Sequence, residues 1–145
     1  LIGFLVDTNV VSESRRRRPD PLIVEFLASV PFSQLFVSEI TFAEIRFGIG
    51  KLGDADRRAG LEVWLEHELR PSFVGRTLSL NEDILLRWRR SAELGRQAGR
   101  PYSEPDLLLA ATAMEHGLTL VTRNVKDFRG LDLTVLNPWE GRPYS

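Results

Sequence analysis

Asp7, Glu44 and Asp106 are the acidic residues whose settings most invite chemistry. Asp7 closes the apolar run Ile2 to Val6 and opens Asp7-Thr8-Asn9, Glu44 falls inside a predicted helix, and Asp106 follows Ser103-Glu104-Pro105 at a predicted helix start. In open parallel sheets ligands bind outside the carboxyl ends of the strands, and both Asp7 and the segment Arg123 to Asp127 occupy such positions. Carboxylates brought together from distant parts of a chain repel one another, and keeping them ionised in a poorly solvated cleft costs several kcal/mol. A hard cation offsets that cost. Mg²⁺ takes oxygen ligands and retains waters, which suits a few carboxylates, and Mn²⁺ accepts much the same site. Taken singly, each acid also has a structural use: Asp7 as a helix cap, Glu44 in a capping box with Thr41, and Asp106 as a complement to a helix dipole.

Other chemistries have little to work with. The chain has no cysteine, which excludes a disulfide scaffold, a thiolate zinc site and a cysteine nucleophile. Its two histidines, His67 and His116, lie in helical contexts away from these acids.

The elements that must position the acids read as short strands alternating with helices. Strands are predicted at Ile2 to Val6, Leu35 to Val37, Thr77 to Leu80, Leu118 to Thr122 and Leu133 to Leu136. A short helical stretch follows Asp7, and Pro19 to Pro21 opens a helix with Leu22, Val24, Phe26, Leu27 and Val30 as apolar positions. Ser38 and Thr41 are both candidate caps for the helix that contains Glu44, with Gly48 and Gly50 as its breakers. Asp54 or Asp56 caps an amphipathic segment ended by Pro71. Asn81 begins another helix, stopped at Gly99, and Ser103 caps the apolar helix that Gly117 terminates. This alternation indicates an α/β sandwich around a central parallel sheet, and 145 residues suit one domain spanning 1–145.

Composition narrows the setting. Hydrophobic residues make up 43% and charged residues 27%, which excludes intrinsic disorder as the main state. Apolar runs fall far short of the roughly 20 residues of a membrane helix. The apolar start lacks the basic n-region of a secretory signal, so a cytoplasmic protein is expected. With 19 basic and 20 acidic residues there is no global field to attract a polyanion, so such a partner must be met locally.

The stretches VDTNVVSE (Val6 to Glu13), SEITFAEIRFGI (Ser38 to Ile49) and PDLLLAATAMEHGLTLVTRNVKDF (Pro105 to Phe128) resemble the PIN-domain ribonucleases. More narrowly they are similar to VapC-type toxins of toxin–antitoxin pairs, and the ending LNPWEG is similar to the FitB-like branch. The resemblance implies a PIN-domain α/β/α sandwich with an acidic pocket, one or two Mg²⁺ or Mn²⁺ ions, and endonucleolytic RNA cleavage by metal-activated water. It places Asp7, Glu44 and Asp106 as metal ligands and catalytic residues, Glu44 serving as a ligand or as the base that aligns water. The position of the family's fourth acid is Asn124, a neutral group, which argues against a tightly held second ion; Asp127 replaces the missing charge or simply caps the turn. Thr8, Asn9 and Thr122 match polar positions that line the pocket.

RNA at an acidic pocket requires positive charge at its rim. Arg15, Arg16, Arg17 and Arg18 form the strongest basic run, open equally to a reading as a solvated loop, while Arg46 and Arg123 lie closer in sequence to the proposed ligands, where they would contact phosphate directly or clamp a carboxylate. The resemblance further implies a small DNA-binding VapB-type antitoxin, operator DNA reached through it, a homodimer, and a higher assembly with the antitoxin. Two other functions fit parts of the sequence. A catalytically weak module that occupies an antitoxin or operator complex would accommodate Asn124. A phosphoacceptor signalling domain would use an Asp after a strand, but gives Glu44 no role and leaves Lys126 offset from a strand end.

Overall fold

The computed structural model describes residues 3–140. Five strands, β1 (Phe4–Val6), β2 (Leu35–Ser38), β3 (Thr77–Leu78), β4 (Thr119–Val121) and β5 (Val135–Leu136), form one parallel sheet in the order β3-β2-β1-β4-β5. The connections carry seven helices: α1 (Thr8–Ser14), α2 (Pro21–Ser29), α3 (Glu39–Gly50), α4 (Ala55–Trp64), α5 (Arg70–Ser72), α6 (Glu82–Gln97) and α7 (Glu104–His116). Parallel neighbours need such crossovers.

Alternation along the central strands sorts the helices into two layers. Phe4, Val6 and Val121 face Val10, Ile23, Phe26, Phe42 and Leu65, so the first five helices cover one side. Leu5 and Leu120 face Leu109, Ala110, Ala113 and Phe128, so α7 covers the other, with α6 packed along it. The result is the expected α/β/α sandwich. Burying each such Val, Leu, Ile or Phe contributes about 1.5–3 kcal/mol, and Phe4 meets Phe26 edge to face at 5.6 Å between ring centroids. Strand order reverses at β1: the chain runs outward to β3, then returns to lay β4 on the other side. That reversal makes the carboxyl ends of β1 and β4 the switch point, the place where open parallel sheets form their binding crevice.

Several boundaries differ from the sequence reading. Ile2, expected in the first strand, and Gly141 lie outside the described residues. β3 stops at Leu78 because the Leu80 N–H leaves the ladder for the Glu39 carboxylate, 3.2 Å away. Leu118 lies between α7 and β4, where Gly117 at φ 64° lets the Leu118 N–H turn back to the Ala113 carbonyl and close off the helix. Leu133 turns back onto the Leu131 carbonyl before β5 begins. Gly48 and Gly50 do not break α3, which runs through to Gly50; neither adopts a positive φ. Of the alternative caps, Ser38 holds α3 and Asp54 holds α4. Pro71 does not end its segment either. A π-helical turn, Leu65–Leu69, carries the Arg70 N–H to the Leu65 carbonyl and delivers Pro71 into the first turn of α5, where a missing N–H is tolerated.

Candidate active site

Asp7 leaves β1 at the sheet's central crevice. Its N–H still bonds the Val121 carbonyl of β4 at 2.9 Å, so the residue is fixed by both central strands before its side chain is considered. One carboxylate oxygen, Oδ1, accepts the Thr8 N–H at 2.7 Å and so caps α1. The other, Oδ2, accepts the Thr122 hydroxyl at 2.8 Å and the Asn9 amide at 3.4 Å. The Thr122 Oγ1, fully buried, accepts in turn from Asn9 Nδ2 at 3.3 Å and from the Asn124 N–H at 3.1 Å. Asn9 Oδ1 closes the ring by accepting the Arg123 N–H at 3.3 Å. Thr8 and Asn9 after β1, and Thr122 and Asn124 more than a hundred residues on, thus hold one carboxylate in one orientation.

Glu44 and Asp106 approach from opposite layers. Glu44 projects from α3 and accepts the Thr8 hydroxyl at 3.4 Å, so Thr8 touches both Asp7, through its backbone, and Glu44, through its side chain. Asp106 lies half-buried in the first turn of α7, where the Asp106 N–H is capped by the Ser103 hydroxyl at 3.3 Å. The three carboxylates feel one another. Burial pushes Asp7 above the usual carboxylate range; the Thr122 and Thr8 bonds pull it back, the charge of Asp106 adds to the rise, and Asn9 opposes it. Glu44 is likewise pushed up, first by desolvation and then by Asp7 and Asp106, with the Thr8 bond acting against them. Among the described residues, no three acidic or imidazole groups are drawn tightly enough to cage an ion unaided.

The remaining expected residues are distributed more widely. Asn124 is tied to the site by its backbone, while its exposed side chain makes no hydrogen bond among the described residues. Asp127 is not brought to the three acids. It lies in the 3₁₀ turn Val125–Phe128 and faces a neighbouring cavity; the turn has no side-chain cap, so Asp127 is not its cap either. Arg46 does not face the pocket. Two residues on from Glu44 it lies on another face of α3, in a groove with Glu62 and Glu66. Arg123 lays its guanidinium over Trp139 at 5.0 Å. The Arg15 to Arg18 run sits beyond the far end of α1, about 10 Å of helix from Asp7; Arg15 covers Trp64 at 5.5 Å and Arg16 pairs with the buried Glu13 at 3.3 Å, while Arg17 and Arg18 are exposed.

Two features escape the sequence reading. Glu13, the last residue of VDTNVVSE, is structural: its Oε2 accepts the Asp20 N–H at 2.8 Å and joins α1 to the cap of α2. Arg100, Lys126 and Arg129 gather around one cavity. No spacing rule links positions that far apart in sequence.

A family model described as PIN domain matches residues 4–132. The chain is 34% identical over 136 residues to Toxin FitB of Neisseria gonorrhoeae, covering 94% of this chain and 98% of that protein. It is 32% identical over 137 residues to VapC ribonuclease Y4jK of Sinorhizobium fredii, covering 94% and 98%. Its fold is similar to the structure of FitAB bound to an IR36 DNA fragment, with a TM-score of 0.89 and 31% identity across 98% of this chain and 99% of that one.

Proposed function

The chain belongs to the PIN-domain family, and from that premise we propose that it is the ribonuclease toxin of a toxin–antitoxin pair, hydrolysing RNA at a site where Asp7 and Asp106 hold Mg²⁺ or Mn²⁺ and Glu44 handles the attacking water. The observation that carries this reading is the electrostatic coupling of three carboxylates at the sheet's topological switch point, with Asp7 and Glu44 pushed up by burial and by their acidic neighbours. Such an arrangement is costly for a metal-free fold and is relieved by a cation. The donor set suits a hydrated hard ion, since carboxylate, hydroxyl and carboxamide oxygens are present and neither histidine is near.

When bound, the cation lowers the pKa of water and offsets charge on the phosphoryl oxygens. Asp7 and Asp106 would hold it. The Thr122, Asn9 and Thr8 bonds keep Asp7 facing the crevice, and Glu44, with raised proton affinity and a Thr8 anchor, aligns the attacking water and takes its proton. Asn124, neutral where a fourth acid would add charge, favours one tightly held ion over two.

The names of the relatives support the partner as well: one is a toxin, and FitAB is bound to DNA. Beside Glu44 an apolar cleft of about 700 Å³ is lined by Ile40, Ala43, Phe47, Leu52 and Leu108, and Phe47 is 70% exposed. We assign that cleft to a segment of a small DNA-binding VapB-type antitoxin, with an arginine offered to the carboxylates in place of the cation. Two copies of this chain would join the assembly, and operator DNA would be reached through the antitoxin.

The test is metal-dependent RNA cleavage by Asp7→Asn, Glu44→Gln and Asp106→Asn variants whose folding is verified by circular dichroism. Each is expected to lose most activity. Cleavage at the parent rate by all three would remove the site assignment, and cleavage unaffected by chelator would remove the metal. Co-expression with a candidate antitoxin, a small protein encoded beside this chain, tests the partner: suppression should require that protein's C-terminal segment.

A further inference from the structure

We propose that the cavity formed by Arg100, Tyr102, Lys126 and Arg129 is a docking subsite for the phosphate backbone of single-stranded RNA running out of the acidic pocket. The inference rests on the nuclease reading and names where its substrate is held. The cavity, of about 430 Å³, is completed by Pro101 and Asp127. Three cations therefore meet one carboxylate, on a chain whose formal net charge is −1.

Those cations are uncommitted. The ion pairs among the described residues use Arg16, Arg70, Arg87 and Arg96. The cations stacked on rings are Arg15, Lys51, Arg70, Arg76, Arg89 and Arg123. Arg100, Lys126 and Arg129 are in neither set, and all three are exposed.

The cavity is nevertheless built. The Tyr102 hydroxyl donates to the Arg129 carbonyl, joining the segment before α7 to the one after the 3₁₀ turn. A Cβ on Gly95 would sit 2.8 Å from the Tyr102 ring, so glycine lets that ring close onto α6. Gly130, at φ 89°, leaves room for Arg100: a Cβ there would sit 2.7 Å from Arg100 Nη1.

Its position follows from the chain. Lys126 is two residues beyond Asn124, whose N–H bonds Thr122 in the Asp7 network, and so lies at most about 7.6 Å from it between Cα atoms. Tyr102 is four residues before Asp106. Both walls of the cavity are thus continuations of segments that build the acidic pocket, whereas the Arg15 to Arg18 run is separated from Asp7 by all of α1. A strand held by its scissile phosphate at the carboxylates and running out along these two segments would meet these cations.

The test measures equilibrium binding of a fluorescent single-stranded RNA 20-mer in chelator, across a salt series, by the parent and by the triple variant Arg100→Ala, Lys126→Ala, Arg129→Ala. The single variant Lys126→Glu is measured alongside, because Lys126 makes no side-chain hydrogen bond among the described residues. The triple variant is expected to bind roughly tenfold more weakly, with a log–log salt slope flatter by about 0.7 for each phosphate no longer neutralised. Lys126→Glu should move in the same direction. With Mg²⁺ added, the loss of RNA cleavage should fall on KM rather than kcat. Unchanged RNA affinity and slope in both variants would overturn the inference, as would a loss confined to duplex DNA or to a protein partner. Cleavage by the parent is read in the same preparations, so failure of the nuclease reading registers separately from failure of this subsite.

Discussion

Replacing Thr122 with valine keeps the shape of a fully buried side chain and removes the one oxygen on which three hydrogen bonds of the site meet. The bond that matters most is the 2.8 Å donation to Asp7, because a hydroxyl bonded to an ionised carboxylate contributes about 1.5–3 kcal/mol. The other two losses are smaller. Asn9 keeps its bond to Asp7 Oδ2, and the freed Asn124 N–H belongs to an exposed residue within reach of water. The expected cost in chelator at neutral pH is therefore about 2–3 kcal/mol, a fall in Tm of roughly 4–12 °C for a chain of this size.

The cost should also depend on pH, with a definite sign. Burial already places the folded Asp7 pKa above its unfolded value, and the Thr122 bond is the largest effect opposing that rise. Without it the folded pKa moves higher still. The added penalty belongs to the ionised form, so it is full above the folded pKa of the variant and is lost as pH falls through the folded pKa of the parent, which itself lies above the ordinary carboxylate value. Urea unfolding near pH 7 and near pH 4 should show the difference between parent and variant shrinking to about 1 kcal/mol, the worth of a neutral hydrogen bond. Thr122→Ser keeps the hydroxyl and loses a methyl, at about 1 kcal/mol and without pH dependence. A Thr122→Val cost equal at both pH values, or no larger than that of Thr122→Ser, would refute the claim that this hydroxyl sustains the charge on Asp7.

Three further outcomes follow from the same geometry. Glu44→Gln should stabilise the metal-free protein by about a few tenths of a kcal/mol, small because the residue is exposed and solvent screens it. That gain should fade at acid pH, where parental Glu44 takes up its proton; thermal melts in chelator decide it, and a loss near 1 kcal/mol would mark Glu44 as a structural cap. Glu13→Ala removes a buried acceptor of the Asp20 N–H and should cost about 1–3 kcal/mol, while cleavage per folded molecule is retained; selective loss of cleavage would make Glu13 part of the chemistry. In Gly95→Ala the new Cβ would fall 2.6 Å from the Arg100 carbonyl, so denaturant unfolding should show a loss of about 1–3 kcal/mol; a neutral result would mean that the Arg100–Tyr102 segment yields freely.

The alternation of short β-rich runs with capped helices was enough to place every strand, because each run is bounded by residues that stop it for local reasons: Asp7, Ser38, Gly117, Asn137. The errors came where a local signal was outvoted. Gly48 and Gly50 are poor helix formers, yet α3 runs through Gly48 to Gly50 because Phe42, Ile45 and Ile49 are buried against the sheet, and a cost of about 1 kcal/mol per glycine is small beside that. Pro71 fits because a π-helical turn shifts the bonding register just before it, and nothing in residues 65–70 announces such a turn. At the site Asp7 stood out by its place after a strand, Glu44 and Asp106 only by lying in helices that begin near such an edge, and the family resemblance is what assigned the three together. Nearness in sequence says nothing of side: Arg46 is two residues from Glu44 and on another face of the helix, whereas Arg100 and Arg129 meet in one cavity across 29 positions.

Asp7 also shows why a carboxylate after a strand resists a choice between helix cap and site residue. Its two oxygens divide the work. Oδ1 caps α1 through the Thr8 N–H, and Oδ2 is held by Thr122 and Asn9, so the bonds that order the helix start and the β4 loop are the ones that orient the group toward the crevice. Neutralising Asp7 therefore changes cap, network and charge together, and inactivity of Asp7→Asn is open to two explanations. Asp106 is different. Its own side chain donates and accepts nothing among the described residues, its N–H is capped by Ser103, and its charge nonetheless raises both Asp7 and Glu44. Asp106→Asn removes charge from the cluster while leaving the hydrogen bonds of the scaffold in place. It is the variant in which loss of cleavage with a melt in chelator that does not fall separates the chemistry from the fold.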